Sequence, residues 1–117
     1  IDYGKALLLK DLLSVVDNFE VLIKNLKDDS ETSKAVRMVY EEMLKLLEKN
    51  EVKPIDSVNK LVDPFKHEVL MQKESEKDDG IIIEELQKGY LVKDKVLRTS
   101  KVCVSKKVNI GGNTKNG

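Results

Sequence analysis

Histidine and cysteine are the side chains of this sequence most able to do chemistry, and each occurs once in 117 residues. His67 alone cannot hold a metal, because such a site needs several Cys, His or carboxylate ligands at defined spacing. No nucleophile pattern accompanies it, so we interpret His67 as a strand residue at the edge of a domain. Cys103 has no second cysteine to pair with, and the nearby Lys101 and Lys106 are only weak support for an activated thiol.

Phosphate-binding loops are missing from the sequence. Neither GxxxxGK[ST] nor GxGxxG occurs, and the six glycines form no phosphate cradle. Adjacent acids at 41–42, 78–79 and 84–85 are interpreted as solvated charge. The first pair lies on a helix surface and the second in a turn, and the third lies in a strand, where neighbouring residues point to opposite faces. We therefore expect a protein that is not an enzyme, with no catalytic residue, no cofactor, no metal and no direct nucleotide binding.

Composition narrows the class of protein further. Lys plus Arg and Asp plus Glu number 21 each, a balance that argues against a partner made of nucleic acid and against electrostatic attachment to a membrane. No apolar run approaches the ~20 residues of a membrane helix. Charged residues make up 36% and aromatic residues 4%, which fits long solvated helices better than one large core. The start at Ile1 suggests a fragment of a longer chain.

The first element is a helix predicted from Lys5 to Lys27, in which apolar residues recur at spacings of three and four. One stripe consists of Leu8, Leu12, Val15, Phe19, Leu22 and Leu26, and a second stripe consists of Leu9, Leu13, Val16 and Ile23. A face this wide on a helix roughly 35 Å long needs several partner helices. We predict self-association into a four-helix bundle; the alternative is a docking helix for a groove on another protein.

The second helix is predicted from Glu31 to Lys49, after a run of helix-capping residues at 28–33. Its apolar face consists of Val36, Val39, Tyr40, Met43, Leu44 and Leu47. The connection between the helices is short, which makes them antiparallel neighbours. The residues predicted to lie in the dimer interface are Leu8, Leu12, Val15, Phe19 and Leu22 of the first helix and Val36, Val39, Tyr40, Met43 and Leu47 of the second.

Strand patterns follow Pro54. We predict strands over 67–74 and from 81 onward, then two more within 86–104 joined at 93–95, with Gly89 marking a bulge or close approach. Alternation over 102–105 predicts a half-buried strand. The predicted class is α+β: an antiparallel helical hairpin that dimerises into a four-helix bundle, then a small all-β domain. The predicted divisions are a dimerisation region over 1–50, a β-domain over 51–107 and a flexible tail over 108–117.

Several segments, in order and at characteristic spacing, resemble the GrpE family. The C-terminal segments are Gln87-Lys88-Gly89-Tyr90, Val96-Leu97-Arg98 and Val102-x-Val104-Ser105-Lys106. The others are Lys10-Asp11-Leu12-Leu13-x-Val15-x-Asp17-Asn18-Phe19-Glu20, Val52-x-Pro54-Ile55-Asp56, Asp63-Pro64-x-x-His67-Glu68-Val69-x-Met71-Gln72 and Glu74-Ser75. The resemblance extends from about Leu9 to Lys106.

The resemblance implies a homodimeric nucleotide exchange factor, a co-chaperone in protein folding and the stress response. Its partner would be the nucleotide-binding domain of a DnaK-type chaperone, whose ADP release it would accelerate. The implied contacts are Val62, Pro64, Lys95 and Val104. The family more often has Asn-Gly-Arg at 93–95 and Arg-Pro-Ala at 98–100, whereas this chain has Lys-Asp-Lys and Arg-Thr-Ser.

Two alternatives stay open from the sequence. The first is a dimeric scaffold or adaptor that binds another protein without exchange activity. The second concerns the compartment, for which bacterial-type cytoplasm is the default and a mitochondrial or plastid matrix is the alternative.

Overall fold

The computed structural model describes residues 2–108 of the chain, so all but the first residue of the predicted tail lies outside the described residues. Two helices are followed by six strands, which confirms the predicted α+β class. The helices are α1 (Tyr3–Lys24) and α2 (Glu31–Lys49). The strands are β1 (Val52–Pro54), β2 (His67–Ser75), β3 (Ile82–Gln87), β4 (Tyr90–Val92), β5 (Lys95–Arg98) and β6 (Ser100–Lys107).

Side-chain caps fix both ends of α1. The carboxylate of Asp2 accepts a hydrogen bond from the Lys5 N–H at 2.7 Å, which satisfies one of the free donors at the helix start. The helix ends at Lys24, three residues before the predicted end, because Asn25 acts as its C-cap. The amide of Asn25 donates to the Val21 carbonyl at 2.8 Å, which satisfies a terminal acceptor without another helical turn.

A polar corner starts α2, whose bounds agree with the prediction. The Ser30 hydroxyl accepts from the Ser33 N–H at 3.2 Å. The carboxylate of Asp28 accepts from the Ser33 hydroxyl at 2.7 Å and from the Ser30 N–H at 3.0 Å. These hydrogen bonds, the one from Ser33 above all, hold the pKa of Asp28 below its usual 3.8.

The six strands form two three-stranded sheets, ordered β1-β4-β5 and β2-β6-β3. In the second sheet, β2 runs parallel to β6 with His67 opposite Ser100, and β3 runs antiparallel to β6. The predicted continuous strands within 86–104 are each broken in two. The first breaks at Lys88–Gly89 and the second at Thr99, and at both points the chain passes from one sheet to the other.

Gly89 lies at the first of these breaks and is not a bulge within a strand. Its carbonyl accepts from the Ile55 N–H at 2.9 Å, and its N–H donates to the Ser100 hydroxyl at 2.8 Å. Both of its backbone groups are therefore used outside a strand ladder. Gly89 therefore lies in the connection between the two sheets, and the close backbone approach stays a prediction.

The contacts divide the chain into two compact units. The first unit contains the chain up to Lys53 together with Tyr90–Arg98, and the second contains Pro54–Gly89 and the chain from Thr99 onward. This grouping differs from the predicted division after residue 50, because the apolar residues of β1, β4 and β5 pack with the helices. The core of the first unit consists of Leu9, Leu13, Val16, Leu47, Val52, Tyr90, Val92 and Leu97.

The core of the second unit is small and centred on β6. Val102 and Val104 pack with Ile82, and the half-buried Val62 lies against them. The predicted half-buried alternation of 102–105 is wrong, because side chains on both faces of this central strand are buried. Cys103 is one of these fully buried residues, so its thiol is enclosed.

A two-residue turn joins β4 to β5, and both of its residues adopt left-handed backbone. Lys93 has φ 48° and Asp94 has φ 67°, the pattern of a type I′ hairpin turn without glycine. Residues with a Cβ atom are strained in this region. Lys93→Gly is therefore expected to increase the free energy of unfolding by about 1 kcal/mol, measured by urea denaturation.

Lys95→Gly is the matched control for that substitution. Lys95 lies in β5 outside the left-handed residues, so glycine there is expected to destabilise by about 0.5–1 kcal/mol. The Lys93–Glu51 ion pair at 3.8 Å is exposed and contributes little. Equal destabilisation by both substitutions would contradict the strain at Lys93.

Candidate interaction surfaces

His67 begins β2 with its side chain buried, and both ring nitrogens have partners. Nδ1 accepts a hydrogen bond from the Asp63 N–H at 2.9 Å, and Nε2 lies 3.2 Å from the Ser57 hydroxyl. Burial lowers the pKa of His67 below 6.5, and it outweighs the opposite effect of Asp63 and Glu85. The ring is therefore held neutral inside the second unit.

A chain of hydroxyls continues from His67 into the second unit. Ser57 donates to the Ser100 hydroxyl at 3.1 Å, and Ser100 donates to the carboxylate of Glu85 at 2.9 Å. Both serines are buried, so no substrate can reach them. This cluster satisfies buried polar groups and offers no nucleophile to solvent. Sequence patterns could not find it, because the parallel register of β2 and β6 places His67 opposite Ser100, and Ser57, in the loop after β1, bonds Ser100 across 43 positions.

Neither a metal centre nor a membrane span is visible within residues 2–108. These residues contain no group of three or more His, Cys, Asp or Glu side chains that could hold a metal ion. No helix among them is long and apolar enough to cross a membrane.

The two apolar stripes of α1 have different surroundings. Leu9, Leu13 and Val16 of the second stripe are buried in the core of the first unit. The first stripe is only partly covered, and its exposed residues are Leu8 at 68%, Val15 at 46% and Leu22 at 44%. Leu12 and Phe19, between them along the same stripe, are half-buried. The second stripe therefore packs within the chain, whereas the first stripe leaves Leu8, Val15 and Leu22 uncovered and packs Leu12 against the core.

The predicted interface residues of α2 divide in the same way. Val39 is exposed, Val36, Tyr40 and Met43 are half-buried, and Leu47 is buried in the core of the first unit. Leu47 is therefore not available to a second chain. An open cavity of ≈ 440 Å³ is lined by Val39, Glu42, Met43, Lys45, Leu46 and Lys49.

Tyr40 ties α2 to α1. Its hydroxyl donates to the Glu20 carboxylate at 2.7 Å. Burial, together with this carboxylate, raises the pKa of Tyr40. The predicted interface residue thus also fixes the packing of the two helices within one chain.

The four predicted partner contacts are divided between the units. Lys95 is exposed on β5 of the first unit. Pro64 is exposed in the second unit, and the neighbouring Val62 is half-buried against its core. Val104 is 4% exposed and belongs to that core. It packs beneath the surface with Val62 against the same core, so it does not itself contact a partner.

Comparison with known proteins identifies the family of the chain. The family model GrpE matches residues 1–106, which is nearly all of the described chain. The chain belongs to the GrpE family. Protein GrpE of Caldanaerobacter subterraneus subsp. tengcongensis is 41% identical over 107 residues, covering 91% of this chain and 52% of that protein.

Other members of the GrpE family are identical to this chain to a similar extent. Protein GrpE of Ehrlichia chaffeensis is 39% identical over 106 residues, covering 90% of this chain and 52% of that protein. Protein GrpE of Geobacillus kaustophilus is 42% identical over 108 residues, covering 88% of this chain and 50% of that protein. The chain thus spans about half the length of the curated relatives it matches.

An ion pair supports the hairpin that carries Lys95 in this GrpE-family chain. Both terminal nitrogens of Arg98 donate to the Asp17 carboxylate, at 2.6 and 2.7 Å, which fastens β5 to α1. The guanidinium also lies 5.5 Å from the centre of the Tyr90 ring. A bidentate pair of this kind is geometrically specific. The GrpE-like Val96-Leu97-Arg98 segment therefore has a structural role in the first unit.

Sequence reasoning missed two exposed apolar residues beside Pro64. Phe65 is 85% exposed and Leu61 is 65% exposed, in the loop that precedes β2. The sequence signal for Phe65 is an aromatic residue that directly follows Pro64 and belongs to no apolar stripe. Leu61 precedes Val62 and Phe65 follows Pro64 in this GrpE-family chain, so both are neighbours of predicted contact residues.

Proposed function

We propose that the chain is the exchange-factor part of a co-chaperone for a DnaK-type chaperone. It would bind the nucleotide-binding domain of that chaperone, favour its open cleft and accelerate release of ADP so that ATP can enter. The observation that carries this proposal is the GrpE match over residues 1–106, which includes both helices and nearly all of β6.

The proposed active form is a homodimer joined through the helices. The uncovered stripe of Leu8, Val15 and Leu22 supports this, because the spacing of four and three with Leu12 and Phe19 is that of a helix seam. The exposed Val39 extends the apolar surface on α2. Burial of these side chains between two antiparallel hairpins would complete a four-helix bundle.

The mechanism needs only a difference in affinity between two states of the chaperone. A protein that binds the open cleft better than the closed cleft shifts the population toward the open state. Linkage then requires that nucleotide weakens the binding of the exchange factor by the same factor that the exchange factor weakens nucleotide binding. Excess nucleotide should therefore displace this chain.

The proposed contact residues are Pro64, Val62 and Lys95, with Val104 as a buried support. Pro64 and Lys95 are exposed and belong to elements with fixed geometry, the turn before β2 and the hairpin of β4 and β5. Lysine provides one point charge where the family more often has the planar fork of arginine, so we expect a salt-sensitive contact.

The test is release of a fluorescent ADP analogue from a DnaK-type chaperone in the presence of this chain. We expect acceleration by at least an order of magnitude and reversal by excess nucleotide. Lys95→Glu should reduce the acceleration about ten-fold or more, since reversing a contact charge costs on the order of 1–3 kcal/mol. Lys53→Glu is the matched control, because Lys53 is exposed on β1 at the opposite edge of the same sheet.

The outcomes separate the competing functions. No acceleration, together with a dimer in light scattering, would favour the scaffold or adaptor. Acceleration that both lysine variants retain would keep the exchange function but remove Lys95 from the contact surface.

A further inference from the structure

The turn before β2 is organised by one residue, Asp63. Its carboxylate accepts from the Phe65 N–H at 2.9 Å, and its carbonyl accepts from the N–H groups of Lys66 and His67 at 2.9 and 2.8 Å. Only its own N–H remains, and that group donates to Nδ1 of His67 at 2.9 Å. The side chain of His67 thus links the Asp63 end of this exposed turn to the buried part of the second unit, while the Lys66 carbonyl at the other end accepts from the N–H of buried Ser100 at 2.9 Å.

The link requires a neutral imidazole. A ring nitrogen that accepts a hydrogen bond must have a free lone pair, whereas both nitrogens of a charged imidazolium are donors. The acceptor role of Nδ1 places the proton on Nε2, which then donates to the hydroxyl of Ser57. Ser57 in turn donates to Ser100, so every donor in the cluster faces an acceptor.

Protonation would put two donors face to face. The new proton on Nδ1 would point at the N–H of Asp63, leaving two buried polar groups unsatisfied, which costs on the order of 1–3 kcal/mol. The turn can relieve this conflict by moving Asp63 away from the ring. Such a movement carries the adjacent Pro64 and Phe65, both exposed, out of their positions.

We propose that neutral His67 is a positioning residue for the partner-binding turn at 63–66, and that protonation of its ring releases the Asp63 end of this turn and weakens binding of the chaperone. This inference rests on the proposed function and adds a regulated residue to the same surface. His67 acts through Asp63 and does not itself touch the partner.

The charged groups that face the ring favour opposite states. Asp63 in the turn and Glu85 on β3 favour the imidazolium, whereas Lys66 in the turn and burial of the ring oppose it. Burial has the largest effect, so the pKa of His67 is lower in the folded chain than the 6.5 of an unfolded one. Below about pH 6.5 the unfolded chain binds the extra proton first, so stability of the folded chain declines as pH falls.

The experiment compares chaperone binding by the unchanged chain and by His67→Asn between pH 7.5 and pH 5. The asparagine Oδ1 can take the acceptor place of Nδ1, and asparagine does not titrate. Binding by the unchanged chain should weaken about ten-fold over this range, relative to His67→Asn at each pH. His67→Gln is the contrast, because it replaces Nε2 and leaves the Asp63 N–H without an acceptor, so it should bind weakly at every pH.

Nuclear magnetic resonance separates this inference from the proposed function. The amide signal of Asp63 should move with the titration of His67, and the ring should be the Nε2–H tautomer at neutral pH. If the Asp63 amide moves with the titration of His67 but the chain does not bind the chaperone at pH 7.5, the exchange function is contradicted and the His67–Asp63 link is supported. The positioning role would be overturned if chaperone binding by the unchanged chain and by His67→Asn changed equally with pH. It would also be overturned if the Asp63 amide signal did not move as His67 titrates.

Discussion

Val15→Asp in α1 is expected to dissociate the proposed dimer and to weaken its association about 10²–10⁴-fold. Val15 is 46% exposed in the middle of the uncovered stripe, between Leu8 and Leu22. Burial of a valine is worth about 1.5–3 kcal/mol, and a two-fold symmetric interface counts each substitution twice. A buried carboxylate without a partner adds to the loss. Sedimentation across a concentration series measures the change in Kd.

Val21→Asp is the matched control because it makes the same substitution on the same helix. Val21 is 61% exposed, and it lies away from the stripe on the helical wheel. Both variants lose the same helix propensity, and the charge at Val21 additionally weakens the last turn of α1 by about 0.3–1 kcal/mol. Association constants are therefore compared, because they report the surface that carries the charge. Equal association constants for the two variants would exclude the stripe as the interface, and self-association would then have to involve another surface.

Leu13→Ala is expected to lower the free energy of unfolding by about 2–5 kcal/mol. Leu13 is fully buried in the core of the first unit, where it packs with residues of α2 and of the sheet β1-β4-β5. A loss of that size is a large part of the 5–15 kcal/mol typical of a domain. Urea denaturation gives the value, and the Val15→Asp background removes the contribution of dimerisation.

Leu8→Ala in the same background is the companion measurement. Leu8 is 68% exposed, so its truncation should change the stability of the single chain by no more than about 0.5 kcal/mol. In the unchanged background it should weaken association instead. If Leu8→Ala and Leu13→Ala cost the same, the two stripes of α1 are not separated as the structure describes.

The helices were predictable because their signals are local. The spacing of three and four predicts both helices, and the capping run at 28–33 predicts the start of α2. The end of α1 depends on a single side-chain amide, that of Asn25, and apolar spacing predicts this end three residues too late. The apolar spacing of α1 predicts two stripes, but it does not indicate which stripe is buried within the chain. The burial depends on packing against residues of β4 and β5, which are far along the sequence.

The sheets were predictable only in part, because strand pairing is not local. Alternation and β-branched residues predict strands over 67–74, from 81 onward and within 86–104, but they do not show that the chain changes sheets at Gly89 and Thr99. The parallel pairing of β2 with β6 is equally invisible in the sequence. For the same reason the sequence predicts His67 as an edge residue, whereas in the structure it is buried beside Ser57 and Glu85.

The interleaving of the two units has a consequence for synthesis on the ribosome. The core of the first unit needs Tyr90, Val92 and Leu97, so α1 and α2 emerge long before the strands that complete their packing. At a synthesis rate of roughly 5–20 residues per second, the apolar side of the nascent helices stays uncovered for several seconds before β5 is made. A chain cut after Lys53 would never cover it, so neither unit can be obtained by truncation at one point.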